Sequence, residues 1–136
     1  YGPGEDPVRL ASYVFDCCAR GEAPRVTSGR QPRDWVFVDD VVELIWLAVD
    51  CPAARGRILH AGGGRHQTVR DLVETAVAVA GGQVVPEYGT EPPRADEPAV
   101  WLADLTDTTA LTGWRPRTDL RTGLERMWAG RFTRAA

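Results

Sequence analysis

The sequence predicts an α/β fold, and three observations carry that prediction. Stretches with a helical apolar repeat alternate along the chain with short apolar runs of strand length. Glycines and prolines punctuate most of the boundaries between these stretches. Thr or Asp opens several of the helical stretches, where a side-chain oxygen can take up the first unpaired N–H groups. The expectation is short strands and about four to five helices in a single unit of 136 residues.

Taken in order, Tyr1-Gly2-Pro3-Gly4 is loop chemistry. A helix follows from Leu10, with Leu10, Tyr13, Val14 and Cys17 on one face and Gly21 as its stop. Trp35-Val36-Phe37-Val38 reads as a buried strand bounded by charged residues. Asp40 and Glu43 have capping-box spacing before an apolar helix, Val41 to Val49, that ends at Pro52. Arg57 to Ala61 reads as a second strand running into Gly62-Gly63-Gly64. Thr68 with Asp71 caps a helix whose inward stripe is Val69, Leu72, Val73, Ala76 and Val77, and Gly81-Gly82 ends it. A short strand within Gln83–Tyr88 precedes a proline-rich loop holding Arg94. Asp104 opens a short helix stopped by Gly113, and Asp119 begins a last helix that packs Leu120 and Leu124.

Composition narrows the function. With 43% hydrophobic and 26% charged residues, the chain has the balance of a globular domain. A net charge of −3 argues against a nucleic-acid surface spread over the whole chain. All 16 basic residues are arginine, so no step within this chain uses a lysine amine, whether Schiff base or P-loop. Cys17, Cys18 and Cys51 read as reduced thiols of a cytoplasmic protein, since an odd count with two neighbours is no disulfide framework. No apolar run approaches the ~20 residues that span a bilayer, so no membrane contact is expected.

Few residues offer chemistry of their own. The glycine run after Leu59 does not complete G-x-G-x-x-G, because Gln67 holds the sixth position, and it reads as a tight connection. His60 and His66 have no cysteine at metal-ligand spacing, so no metal site is expected. Asp39-Asp40 suit a helix start. Neither Ser12 nor Ser28 lies in a nucleophile elbow. No catalytic residue is assigned within the chain. The arginines matter more, because a planar guanidinium binds two oxygens of a diphosphate at once.

Four blocks bring those arginines together. They are Tyr1-Gly2-Pro3-Gly4; Gly29 through Arg33-Asp34-Trp35 to Asp40; Leu59-His60-Ala61-Gly62-Gly63-Gly64 with Thr68-Val69-Arg70-Asp71-Leu72; and Ala103-Asp104, Gly113-Trp114-Arg115-Pro116, Leu120 to Leu124. In this order and spacing they resemble the C-terminal half of extended short-chain dehydrogenase/reductases, the NAD-dependent nucleotide-sugar epimerases and dehydratases. The resemblance implies that residues 1–136 form the C-terminal, substrate-binding part of an extended Rossmann-type fold. The N-terminal NAD-binding Rossmann half, with its glycine fingerprint and Tyr-x-x-x-Lys pair, would lie outside this chain. It further implies a nucleoside-diphosphate sugar as ligand, NAD held mainly by the other half, and a homo-oligomer, while the absence of lysine points to a GC-rich bacterium. On its own the chain is expected to be inactive.

Residue by residue, Arg33 matches the family's diphosphate arginine, and Arg94 falls in a loop similar to its R-x-G-D. Arg9 and Leu10 stand where the substrate helix begins. Val26 occupies the position that often holds an aromatic ring against the base, Glu97 replaces the loop's aspartate, and His60 replaces its usual asparagine. Epimerisation, dehydration, decarboxylation and reduction all remain open. A stand-alone or degenerate nucleotide-binding module without catalysis is the alternative.

Overall fold

The computed structural model describes residues 1–92, 98 and 100–132. Their fold is mixed α/β: five α-helices and four two-residue strands in two small sheets. Helix α1 spans Leu10–Arg20, α2 Val38–Val49, α3 Val69–Val79, α4 Thr106–Thr112 and α5 Leu120–Phe132. Strand β1 (Arg25–Val26) pairs in parallel with β4 (Glu87–Tyr88), and β2 (Pro32–Arg33) pairs antiparallel with β3 (Gln67–Thr68).

Helix α3 is the centre of the main core, packing on α1 and on α5. Its start is fixed locally: Thr68 accepts from the Asp71 amide while the Asp71 carboxylate accepts from the Thr68 amide, a complete capping box. The stripe read from the sequence, Val69, Leu72, Val73, Ala76 and Val77, is buried. It meets Ala11, Val14 and Phe15 of α1 and Leu124 and Met127 of α5. Leu10 and Tyr13 only flank this core, because the buried face of α1 is turned toward Ala11 and Phe15. Gly21, at φ 69°, closes α1 in the left-handed region where a Cβ is unfavourable.

A second packing group joins α2, α4 and the 3-10 turn Pro52–Ala54. Two strands expected here do not form. Residues 34–37 and 57–61 lie outside regular structure, because no described strand runs beside them to complete a ladder. Single partners stand in for the missing neighbours. Tyr1 donates to the Val36 carbonyl (2.9 Å) and accepts from the Val38 amide (2.9 Å), one rung of a parallel pairing. The buried Thr108 hydroxyl accepts from the His60 amide (2.8 Å) and donates to the His60 carbonyl (2.9 Å).

Asp40 is not the cap that its spacing predicts. Helix α2 begins at Val38, three residues before the expected Val41, and makes no side-chain cap. The Asp40 carboxylate, 5% exposed, accepts from the Thr118 amide and hydroxyl and from the Arg117 amide. Its carbonyl accepts from the Trp114 indole (2.8 Å). A local rule thus loses to a partner more than seventy residues away, which satisfies more donors than a cap would.

One face of α2 is uncovered. Val42, Ile45, Trp46 (66% exposed) and Val49 reach solvent, and Ile58 (80%) adds to the exposed apolar surface. At about 25 cal/mol per Å2, leaving such a surface in water withholds several kcal/mol of stabilisation. The isolated chain is therefore expected to bind an apolar dye or to self-associate in sedimentation. A dilute monomer that binds no dye would contradict this.

The N-terminus of α5 supplies an acid-sensitive contact. Asp119 accepts from the Thr122 amide and hydroxyl (both 2.9 Å), which holds its carboxyl below the ordinary 3.8. Because the folded value is depressed, the stabilisation is present above pH 3.8 and disappears as pH falls through the folded value. Asp119→Asn keeps a capping oxygen but cannot titrate. The stability gap between the two proteins, followed by thermal melts, should close on acidification below pH 3.8.

Candidate functional site

Strand β2 presents Arg33 half-buried at the wall of a cleft of about 510 Å3. Trp35, Leu59, His60 and Trp101 are among the residues that line it. Trp101 is 64% exposed, an aromatic face turned to solvent at the cleft rim. One Arg33 nitrogen donates to the Pro32 carbonyl (2.6 Å) and, at longer range, to the Pro98 carbonyl (3.4 Å). Main-chain oxygens thereby aim the guanidinium.

The neighbouring carboxylate has a different task. Asp34 accepts from the Gly63 amide with one oxygen and from the Ala103 amide (2.8 Å) with the other. Three segments distant in sequence are thus tied at one side chain. The glycines are required by closeness: a Cβ on Gly62 would overlap the Asp34 carboxylate, and one on Gly63 would overlap the Trp35 carbonyl oxygen. The glycine run is therefore filled from inside by a protein carboxylate, in the place where a phosphate-binding loop keeps its amides open.

The sequence-derived residues are not all gathered here. Arg9 is exposed at the N-cap of α1 and does not line the Arg33 cleft, and Leu10 behind it is half-buried against the main core. Val26 is 5% exposed and belongs to the core, so its side chain leaves no face for a base to stack on. Arg94 and Glu97 lie outside the described residues. Sequence reasoning missed Trp101 and His60 as cleft walls and Asp34 as the fastener. A carboxylate directly after Arg33, with three consecutive glycines further along the chain, was the available signal.

Burial displaces the phenols of Tyr1, Tyr13 and Tyr88 upward, with nearby carboxylates (Asp119 and Asp40 for Tyr1, Glu74 for Tyr88) adding to it. That is opposite to the shift a tyrosine base requires. No group of three or more metal-ligating side chains occurs among the described residues.

Comparison with known proteins decides the family. The family model for GDP-mannose 4,6 dehydratase matches residues 7–127. The chain belongs to the extended short-chain dehydrogenase/reductases, the family of nucleotide-sugar epimerases and dehydratases. A UDP-glucose 4-epimerase of Mycolicibacterium smegmatis is 31% identical over 128 residues, covering 91% of this chain and 40% of that protein. The UDP-glucose 4-epimerase of Thermotoga maritima, solved with UDP-glucose, superposes with a TM-score of 0.87 at 28% identity, over 98% of this chain and 43% of that one. A UDP-glucuronic acid 4-epimerase of Bacillus cereus, solved with NAD, has the same fold (TM-score 0.81, 20% identity, 96% of this chain and 40% of that one). The chain spans less than half the length of these relatives, and the part it matches is their C-terminal portion.

The role of the glycines has a direct check. Gly63→Ala should destabilise the fold by about 1–3 kcal/mol or more, since main chain, not a flexible side chain, occupies the space. Gly21→Ala meets nothing within 4 Å and should cost only the left-handed strain, about 1 kcal/mol. Equal losses in chemical denaturation would dismiss the close-packing role.

Proposed function

We propose that this chain is the nucleoside-diphosphate-sugar-binding portion of an NAD-dependent sugar epimerase or dehydratase. The carrying observation is Arg33, half-buried on β2 and aimed by main-chain carbonyls beside a cleft large enough for a sugar nucleotide. Its guanidinium would grip two diphosphate oxygens, and partial burial strengthens such a contact over one in open water. Asp34, next in sequence, would ordinarily repel the anion. Its two oxygens are each engaged by a backbone N–H, which moderates that repulsion.

In this reading Arg94 holds the same diphosphate, as the family resemblance implies, and Arg9 with Leu10 contributes where α1 begins. The base is held by something other than the Val26 side chain. NAD does not fit the glycine run of this chain: its Gly63 amide is already given to Asp34. The cofactor and the residues that move hydride and proton would belong to a Rossmann half outside residues 1–136, so this portion alone would not turn over. The exposed face of α2 suits a surface covered by such a half. The reaction among the family's choices is set elsewhere.

In the full-length protein, Arg33→Ala should weaken sugar-nucleotide binding by about 1.5–3 kcal/mol, roughly 10- to 150-fold, read as Kd by calorimetry. Arg94→Ala should fall in the same range. Unchanged affinity in both variants would overturn the assignment.

A further inference from the structure

Two stretches at the Arg33 cleft have almost no hydrogen bonding of their own. Residues 100–103, which bring Trp101, Leu102 and Ala103 to the cleft wall, lie outside regular structure. Among the described residues they make one hydrogen bond, from the Ala103 amide to the Asp34 carboxylate (2.8 Å). The glycine run 62–64 is also irregular, and among the described residues it too makes one, from the Gly63 amide to the other Asp34 oxygen.

Asp34 itself stands on a firm support. It follows directly on β2, where Pro32 and Arg33 pair with Thr68 and Gln67, and Thr68 is fixed in the capping box of α3. The carboxylate is thus tied to the main core, while the two segments that it holds are tied to little else. A segment with so few backbone hydrogen bonds opens at low cost, so the contact that pins it decides where it stands.

We propose, on the reading of this cleft as a sugar-nucleotide site, that Asp34 is its positioning residue. By holding Ala103 and Gly63 it keeps Trp101 and Leu102 in place at the wall, and affinity at Arg33 depends on that fastening. Coupling of this kind is reciprocal: a fastening that favours the ligand is strengthened by the bound ligand to the same degree.

The full-length protein and its Asp34→Asn, Arg33→Ala and Gly21→Ala variants are titrated with UDP-glucose and GDP-mannose by calorimetry. Amide hydrogen exchange is followed at Gly63 and Ala103. Asparagine fills the same space but keeps one acceptor oxygen and turns an N–H toward the other amide, so one segment is released. Asp34→Asn should weaken the tighter-binding probe about tenfold or more and speed ligand-free exchange at Gly63 or Ala103. Gly21→Ala strains the end of α1, outside the cleft lining, and should keep the parental Kd. In the parent, bound probe should slow exchange at both amides, and this decides the matter if Asp34→Asn fails to fold. Weaker binding in Arg33→Ala with parental binding in Asp34→Asn overturns the positioning role and leaves the reading of the cleft intact. A loss that Gly21→Ala shares, or exchange at the two amides that neither probe nor Asp34→Asn alters, overturns the role as well. A parent that binds neither probe, or parental affinity in Arg33→Ala, overturns the reading of the cleft itself.

Discussion

One carboxylate organises the part of this chain around the Arg33 cleft. Asp34 binds the amides of Gly63 and Ala103, and so fixes the relative position of β2, the glycine run and the 102–103 segment. Each side of the Arg33 cleft depends on that fastening. The arrangement also gives the acid directly after Arg33 a structural task of its own. A half-buried carboxylate is tolerable when its lone pairs are filled, and here backbone donors fill them.

The other sequence blocks behave in the same way, each fastened to another block. Gly2 allows the chain to approach Val38 where a Cβ would collide, and the Tyr1 ring stands edge-on to Phe37 at 5.6 Å. The Tyr1 hydroxyl reaches the space above Gly123, which only a residue without a side chain leaves open. Trp114 and Thr118 close on Asp40. Motifs that look like separate signatures along the sequence are two halves of the same contacts in space. Their spacing is therefore constrained even where they bear no ligand.

Legibility in the sequence followed the range of the interaction. Helix α3 was readable to its first residue because Thr68 and Asp71 satisfy one another within a single turn. The stops of α1 and α4 were readable because Gly21 and Gly113 take left-handed conformations with no outside help. The runs 35–38 and 57–61 have strand composition, yet composition cannot supply a neighbour, and a hydroxyl on Thr108 serves one of them instead. Asp40 obeyed a local spacing rule and was claimed by residues 117 and 118. At the site, Arg33 was legible as one member of a family pattern. Trp101 and His60 were not, since only folding brings them to its cleft.

The distribution of tryptophan divides the molecule optically. Trp114 is enclosed and hydrogen-bonded to Asp40, whereas Trp46 and Trp101 stand in water on two different surfaces, the uncovered face of α2 and the rim of the Arg33 cleft. An indole in water emits at longer wavelength than one in a dry interior. Covering either surface would shift its emission to the blue, while the enclosed ring provides a steady internal standard. With one indole retained at a time and the others replaced by phenylalanine, the chain would give separate colour readings of its core, its apolar face and its cleft.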